Sequence, residues 1–162
     1  MKKIFFYTAF MIVLAFVQHF LVSKLVLWHT APDVMPLFIA FTAMSIGQRT
    51  GTSYGFAAGI ISGFLSGSIG MEALIGTIEG FVAGFFHVPE ESHATSTRKR
   101  RKFYMASAAA LLTGNALRAI MSDPLSLPIY IRLPEALILG TLMSMIICVL
   151  AYHLALKKML RD

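Results

Sequence analysis

Four side chains that could do chemistry lie inside otherwise apolar stretches of this chain: Glu72, Glu79, Asn115 and Arg118. Glu72 and Glu79 are seven residues apart, two helical turns, and so share one helix face. Asn115 and Arg118 are three apart and share a face of another helix. Two carboxylates facing a guanidinium and an amide have three readings. They are an ion pair that fixes helix register, a ligand or ion site at mid-depth of a membrane, or a contact with a partner's helix. Ionisable groups are costly in hydrocarbon and pair where they occur, so a bridge from Arg118 to Glu72 or toward Glu79 is expected.

Other chemistry has little support. The stretch "HVPEESH" offers His87, Glu90, Glu91 and His93 as metal ligands, but a proline interrupts it within a solvated loop, and His29 and Asp33 are no better placed. There is no GxxxxGK[ST] phosphate loop, no HExxH and no nucleophile motif. The expectation is a non-enzymatic protein without metal or cofactor.

The elements that carry these residues follow from composition. Of 162 residues, 57% are hydrophobic and 14% charged, against about 25% charged in soluble domains. The chain therefore reads as an all-α integral membrane protein, a single membrane domain over residues 1–162. Six spans are expected at roughly 4–23, 34–47, 53–68, 71–87, 103–122 and 135–156, given that a crossing takes about 20 apolar residues. Spans two and three are short, which implies tilt or local thinning. The opening "MKKIFFYTAFMIVLAFV" is signal-like but continues "QHFLVSKL" with no small-residue cleavage site, so it reads as a retained first helix. Gln18, His19 and His153 lie near span ends and are expected to reach water or head groups.

Charge sets the orientation. With both termini cytoplasmic, eleven of the fourteen Lys and Arg fall on the inner side, two (Lys24 and Arg132) on the outer, and Arg118 within span five. That is a positive-inside distribution, and removing one span destroys it. Trp28 reads as an outer interfacial anchor. The run Arg98, Lys99, Arg100, Arg101 and Lys102 reads as part of a cytoplasmic loop, 88–102, held near anionic lipid. Basic residues grouped around apolar spans are topology signals, so the net charge of +6 does not indicate nucleic acid.

Glycine spacing supplies the packing. Glycines stand every fourth residue from 47 to 67, and again at 76, 80 and 84. In lipid, small residues at i and i+4 let helix backbones approach. Gly55, Gly59, Gly63 and Gly67 are expected to pack against Gly76, Gly80 and Gly84, or each ladder against another helix, in a tight antiparallel hairpin. A period of four drifts about 40° per step around a helix, so six rungs cannot share one stripe. Gly47 and Gly51 are therefore expected at a loop or helix end.

The stretch from Pro32 to Phe86 resembles the rod shape-determining membrane protein family MreD. The matching positions are Pro32-Asp33 before span two, Arg49 in the next loop, Gly55-Phe56 with Gly59, Ser66-Gly67, and Gly70. One position departs: many members carry an aspartate where this chain has Gly63, which puts any role of that aspartate in doubt or moves it to Glu72 or Glu79. The resemblance implies a six-helix bundle similar to the substrate-binding subunits of energy-coupling-factor transporters. It also implies a scaffold of the elongasome in the bacterial inner membrane, supporting cell shape and side-wall peptidoglycan synthesis. Its partners would be an MreC-like single-span protein, MreB, a RodA-type glycosyltransferase with its transpeptidase, anionic lipid and a second copy of itself. The alternative is a vitamin-binding subunit of such a transporter. That reading calls for a polar and aromatic outer pocket, for which Trp28, Glu72, Arg118, Tyr130 and Arg132 are available.

Overall fold

The computed structural model describes residues 2–26, 30–89, 95–122 and 128–153. Trp28, His29, Glu90, Glu91 and His93 lie outside them, as do the basic residues after position 153. The regular structure is helical: α1 (Lys2–Phe20), a 3-10 turn (Val22–Lys24), α2 (Met35–Ile46), α3 (Gln48–Ser66), α4 (Ile69–Gly84), α5 (Ser96–Met121), α6 (Ile129–Glu135), a π turn (Ala136–Gly140) and α7 (Thr141–Ala151). The last three run on as one rod, which makes six helical bodies among the described residues. Two segments, Phe5–Lys24 and Ile129–Leu150, are long and apolar enough to cross a membrane.

α2 is the hub. Every residue from Met35 to Met44 is buried, so the helix is apolar all round, as expected for a helix enclosed by others. Pro36 sits in its first turn, where the missing N–H costs nothing. Gly47, at φ +128°, ends it and lets α3 begin at once. At 12 residues α2 is only about 18 Å long, well short of a full crossing.

α3 and α4 form an antiparallel hairpin with backbone against backbone. A Cβ at Gly55 would strike the carbonyl of Gly76, and one at Gly76 the carbonyl of Gly55. Gly59 faces Glu72 and Ala73, Gly63 faces Ile69, Gly80 faces Gly51, and Gly84 faces Gln48. Two expectations need correction. Gly67 takes no part in packing: it caps α3 at φ +82° with nothing near its missing side chain. Gly51 is one turn inside α3, pressed against Ala43 of α2. Helix-to-helix contact passes from α4 to α2 along α3, which is how a drifting ladder stays in use from Gly63 back to Gly51. Gly63 fills no polar role, because a side chain there would collide with the turn into α4.

α5 packs through Ala106 and Ala110 onto Ala40 and Ala43 of α2 and Ala83 of α4, a small-residue junction that brings three helices close. It begins earlier than expected, so the run Arg98 to Lys102 forms its first turns rather than a loop. Within that run, Lys102 Nζ donates to the carbonyl of His87 at 3.1 Å. α1 and the α6–α7 rod lie at the periphery, exposing Phe5, Phe6, Phe16 and Phe20 on one and Ile138, Leu142, Ile146 and Leu150 on the other. Pro134 lies two residues before the start of the π turn, so two of the recognised causes of helix distortion fall together here.

Candidate functional site

The carboxylates of α4 and of the segment before α2 converge on Arg118 of α5. Glu72, in the first turn of α4, receives Nε at 3.3 Å from each of its oxygens and Nη2 at 3.0 Å. Nη1 lies 2.9 Å from Asp33 Oδ2 and 3.5 Å from Glu79 Oε1. Side-chain exposure falls from 25% for Arg118 through 16% and 14% for Asp33 and Glu72 to 1% for Glu79, so the cluster runs inward from an accessible rim. Glu79 Oε1 accepts no hydrogen bond, and its ion pair with Arg118 is loose.

Two elements position the three carboxylates. Two turns of α4 separate Glu72 from Glu79 and keep both toward α5. Glu79 needs Gly114, since its carboxyl group stands where a side chain at 114 would be. Asp33 is fixed before α2 begins. Its N–H donates to Ser144 Oγ of α7 at 2.8 Å, and its Oδ1 accepts from Met35 N at 2.9 Å. Gln18 of α1 brackets the same segment, donating from Nε2 to the carbonyl of Pro32 and accepting at Oε1 from Val34 N, both at 3.0 Å. The expectation that Gln18 reaches water or head groups is thereby corrected: its amide turns inward because this loop has backbone groups to satisfy.

Asp33 is the partner of Arg118 that helix-face reasoning did not find. It lies in a loop far from Arg118 in sequence, and its only sequence mark is the Pro-Asp pair. Asn115 goes elsewhere than α4: its Nδ2 donates to Thr141 Oγ1 at 3.2 Å, and Gly140 leaves room for Asn115 and Thr30. Of the remaining motif positions, Pro32 is buried, Arg49 and Phe56 are exposed, Ser66 Oγ lies 2.9 Å from Ser68 Oγ, and Gly70 faces open space.

The accessible rim opens onto a cavity of about 340 Å³. Its walls come from α1 (Gln18, His19), the 32–33 segment, the end of α3 (Ser62, Ser66), Glu72, α5 (Asn115, Arg118, Ser122) and α6 (Arg132, Glu135). No Phe, Tyr or Trp lines it among the described residues. Among those residues, no group of three or more His, Cys, Asp or Glu is arranged to hold a metal ion. The chain matches no protein-family model, no curated protein and no solved structure.

Proposed function

We propose that the chain is a non-enzymatic scaffold subunit of a bacterial inner-membrane, wall-synthesis assembly of the MreD type, multi-pass with both termini cytoplasmic. One observation carries this reading. The stretch that bears the family resemblance, residues 32–86, is also the structural heart of the molecule: buried α2 and the glycine-zipped α3–α4 hairpin. Its opening Pro32-Asp33 pair is the point at which Arg118 is anchored. Pro32, Asp33, Gly55 and Gly59 of the motif help to maintain one compact body, which suits a protein whose task is to present surfaces. In this reading the apolar flanks of α1 and of the α6–α7 rod are available to lipid, to a single-span partner's helix or to a second copy.

The cavity favours a second reading, a substrate-binding transporter subunit, because it is polar and assembled from the first connecting segment and the later helices. The family resemblance of residues 32–86 ranks it behind the scaffold. Isolating the tagged protein from its own membranes in mild detergent, followed by mass spectrometry, separates the two. Co-isolation of an MreC-like protein, MreB or a RodA-type enzyme is the expected result. Recovery of paired transporter ATPases instead would overturn the scaffold assignment.

A further inference from the structure

We infer that the outward face of the α3–α4 hairpin holds a locally thinned patch of bilayer, occupied by anionic phospholipids with short acyl chains. The inference rests on the multi-pass reading and on three features of that face.

The first is height. The two segments long and apolar enough to cross a membrane, Phe5–Lys24 and Ile129–Leu150, have 20 and 22 residues. As helix that is about 30 and 33 Å, which suits a hydrocarbon core of about 30 Å. The hairpin is shorter. α4 has 16 residues, about 24 Å, and its exposed apolar side chains, Ile69, Leu74, Phe81 and Phe85, use all of that length. On α3 the exposed apolar side chains run only from Phe56 through Ile60 to Phe64, roughly two turns. Beyond them, Arg49 and Ser53 toward its start and Ser66 at its end are exposed and polar. α2 is shorter still, but it is enclosed by other helices and meets no lipid.

The second is rigidity. Gly55 against Gly76, Gly59 against Ala73 and Gly63 against Ile69 hold the two helices backbone to backbone, so neither slides to add height. A short face meets a thicker bilayer by thinning it, by snorkelling or by associating. Snorkelling is closed at the turn, where Ser66, Gly67, Ser68 and Gly70 are too short to carry a polar group out of hydrocarbon.

The third is charge, which selects lipid over a second copy. Lys102 Nζ, on the His87 carbonyl at 3.1 Å, sets the exposed Arg98, Arg100 and Arg101 near the end of α4, and Arg49 is exposed at the start of α3. None of the described Asp or Glu residues lies among them. Such an edge repels the same edge of another copy and attracts lipid phosphates.

The test reconstitutes the full chain in vesicles of equimolar dimyristoleoyl and dieicosenoyl phosphatidylglycerol and excises it with styrene–maleic acid polymer. The shorter lipid is enriched about twofold over protein-free discs from the same vesicles. Ser53→Leu with Ser66→Leu, both at exposed positions, lengthens the apolar face of α3 at its two ends and lowers the enrichment. Against dimyristoleoyl phosphatidylcholine, the phosphatidylglycerol of the same chains is taken up in preference. Equal recovery of the two chain lengths, enrichment unchanged in the double variant, equal uptake of the two headgroups, or discs that hold paired chains without enrichment would each overturn the inference. Maleimide labelling of Ser66→Cys from outside, and of Arg98→Cys only after lysis, checks the multi-pass reading separately. Equal lipid recovery with that labelling pattern intact sinks the inference alone.

Discussion

The carboxyl group of Glu79 on α4 occupies the volume that a side chain at position 114 on α5 would fill. Gly114 is therefore the seat of a buried charge-bearing group rather than a rung in a packing ladder. Gly114→Ala is expected to push Glu79 off Arg118 and to cost about 1–3 kcal/mol, as overfilled interiors do. Glu79→Ala empties the same space. The double variant should then be more stable than the sum of the two single effects implies, by about 1 kcal/mol or more. Unfolding of the four proteins in one detergent measures this; strict additivity would show that the two positions do not share a space.

The glycines divide into those with a neighbour and those without. Gly76→Ala drives a methyl group into the Gly55 carbonyl, where backbone cannot yield cheaply, and should lower stability by about 1–3 kcal/mol. Gly70→Ala points into open space and should be neutral or slightly stabilising within α4. Gly67→Ala also meets no atom, but its φ of +82° makes it cost about 1–2 kcal/mol through backbone strain alone. Equal gains at 70 and 76 would mean that helix propensity, not backbone contact, governs the hairpin.

How much of this was readable beforehand depends on the range of the interaction. The α3–α4 hairpin and the meeting of Arg118 with Glu72 both follow from periodicity, because helical spacing decides which residues share a face. Helix starts were less legible: α3 and α5 begin five and seven residues ahead of the expected spans, since polar and basic residues continue a helix beyond its apolar part. Asp33 was not legible as a partner of Arg118. Nothing local records that Ser144 and Gln18 hold its segment against α5. The cavity has no linear signature at all, being the space that at least six segments leave between them.

Arg118 is the one cation among three carboxylates, so its loss and theirs differ in sign. Arg118→Gln leaves Asp33, Glu72 and Glu79 facing one another and is expected to cost about 3–5 kcal/mol, the range for stripping a buried charge of its partner. Adding Glu79→Gln to that variant removes the least accessible carboxylate and should restore part of the loss. Arg118→Lys should not substitute well, because a point charge cannot keep the two-nitrogen contact with Glu72 while reaching Asp33. Guanidinium-free unfolding, by heat or by a denaturing detergent, is the appropriate measurement. Full stability in Arg118→Gln would reduce the cluster to a surface feature.

Orientation carries the cavity with it. The proposed topology, with eleven basic residues inside and two outside, would put the turn at Ser66 and the cavity on the outer side and the start of α5 in the cytoplasm. Ser66 and Arg98 are both exposed, at opposite ends of the bundle, and the buried Cys148 is shielded from reagents. In intact spheroplasts a membrane-impermeant maleimide should label Ser66→Cys at once and Arg98→Cys only after lysis. The reverse pattern would turn the cavity toward the cytoplasm. Labelling of both in intact spheroplasts would break the six-crossing topology itself, because Ser66 and Arg98 would then lie on one side of the membrane.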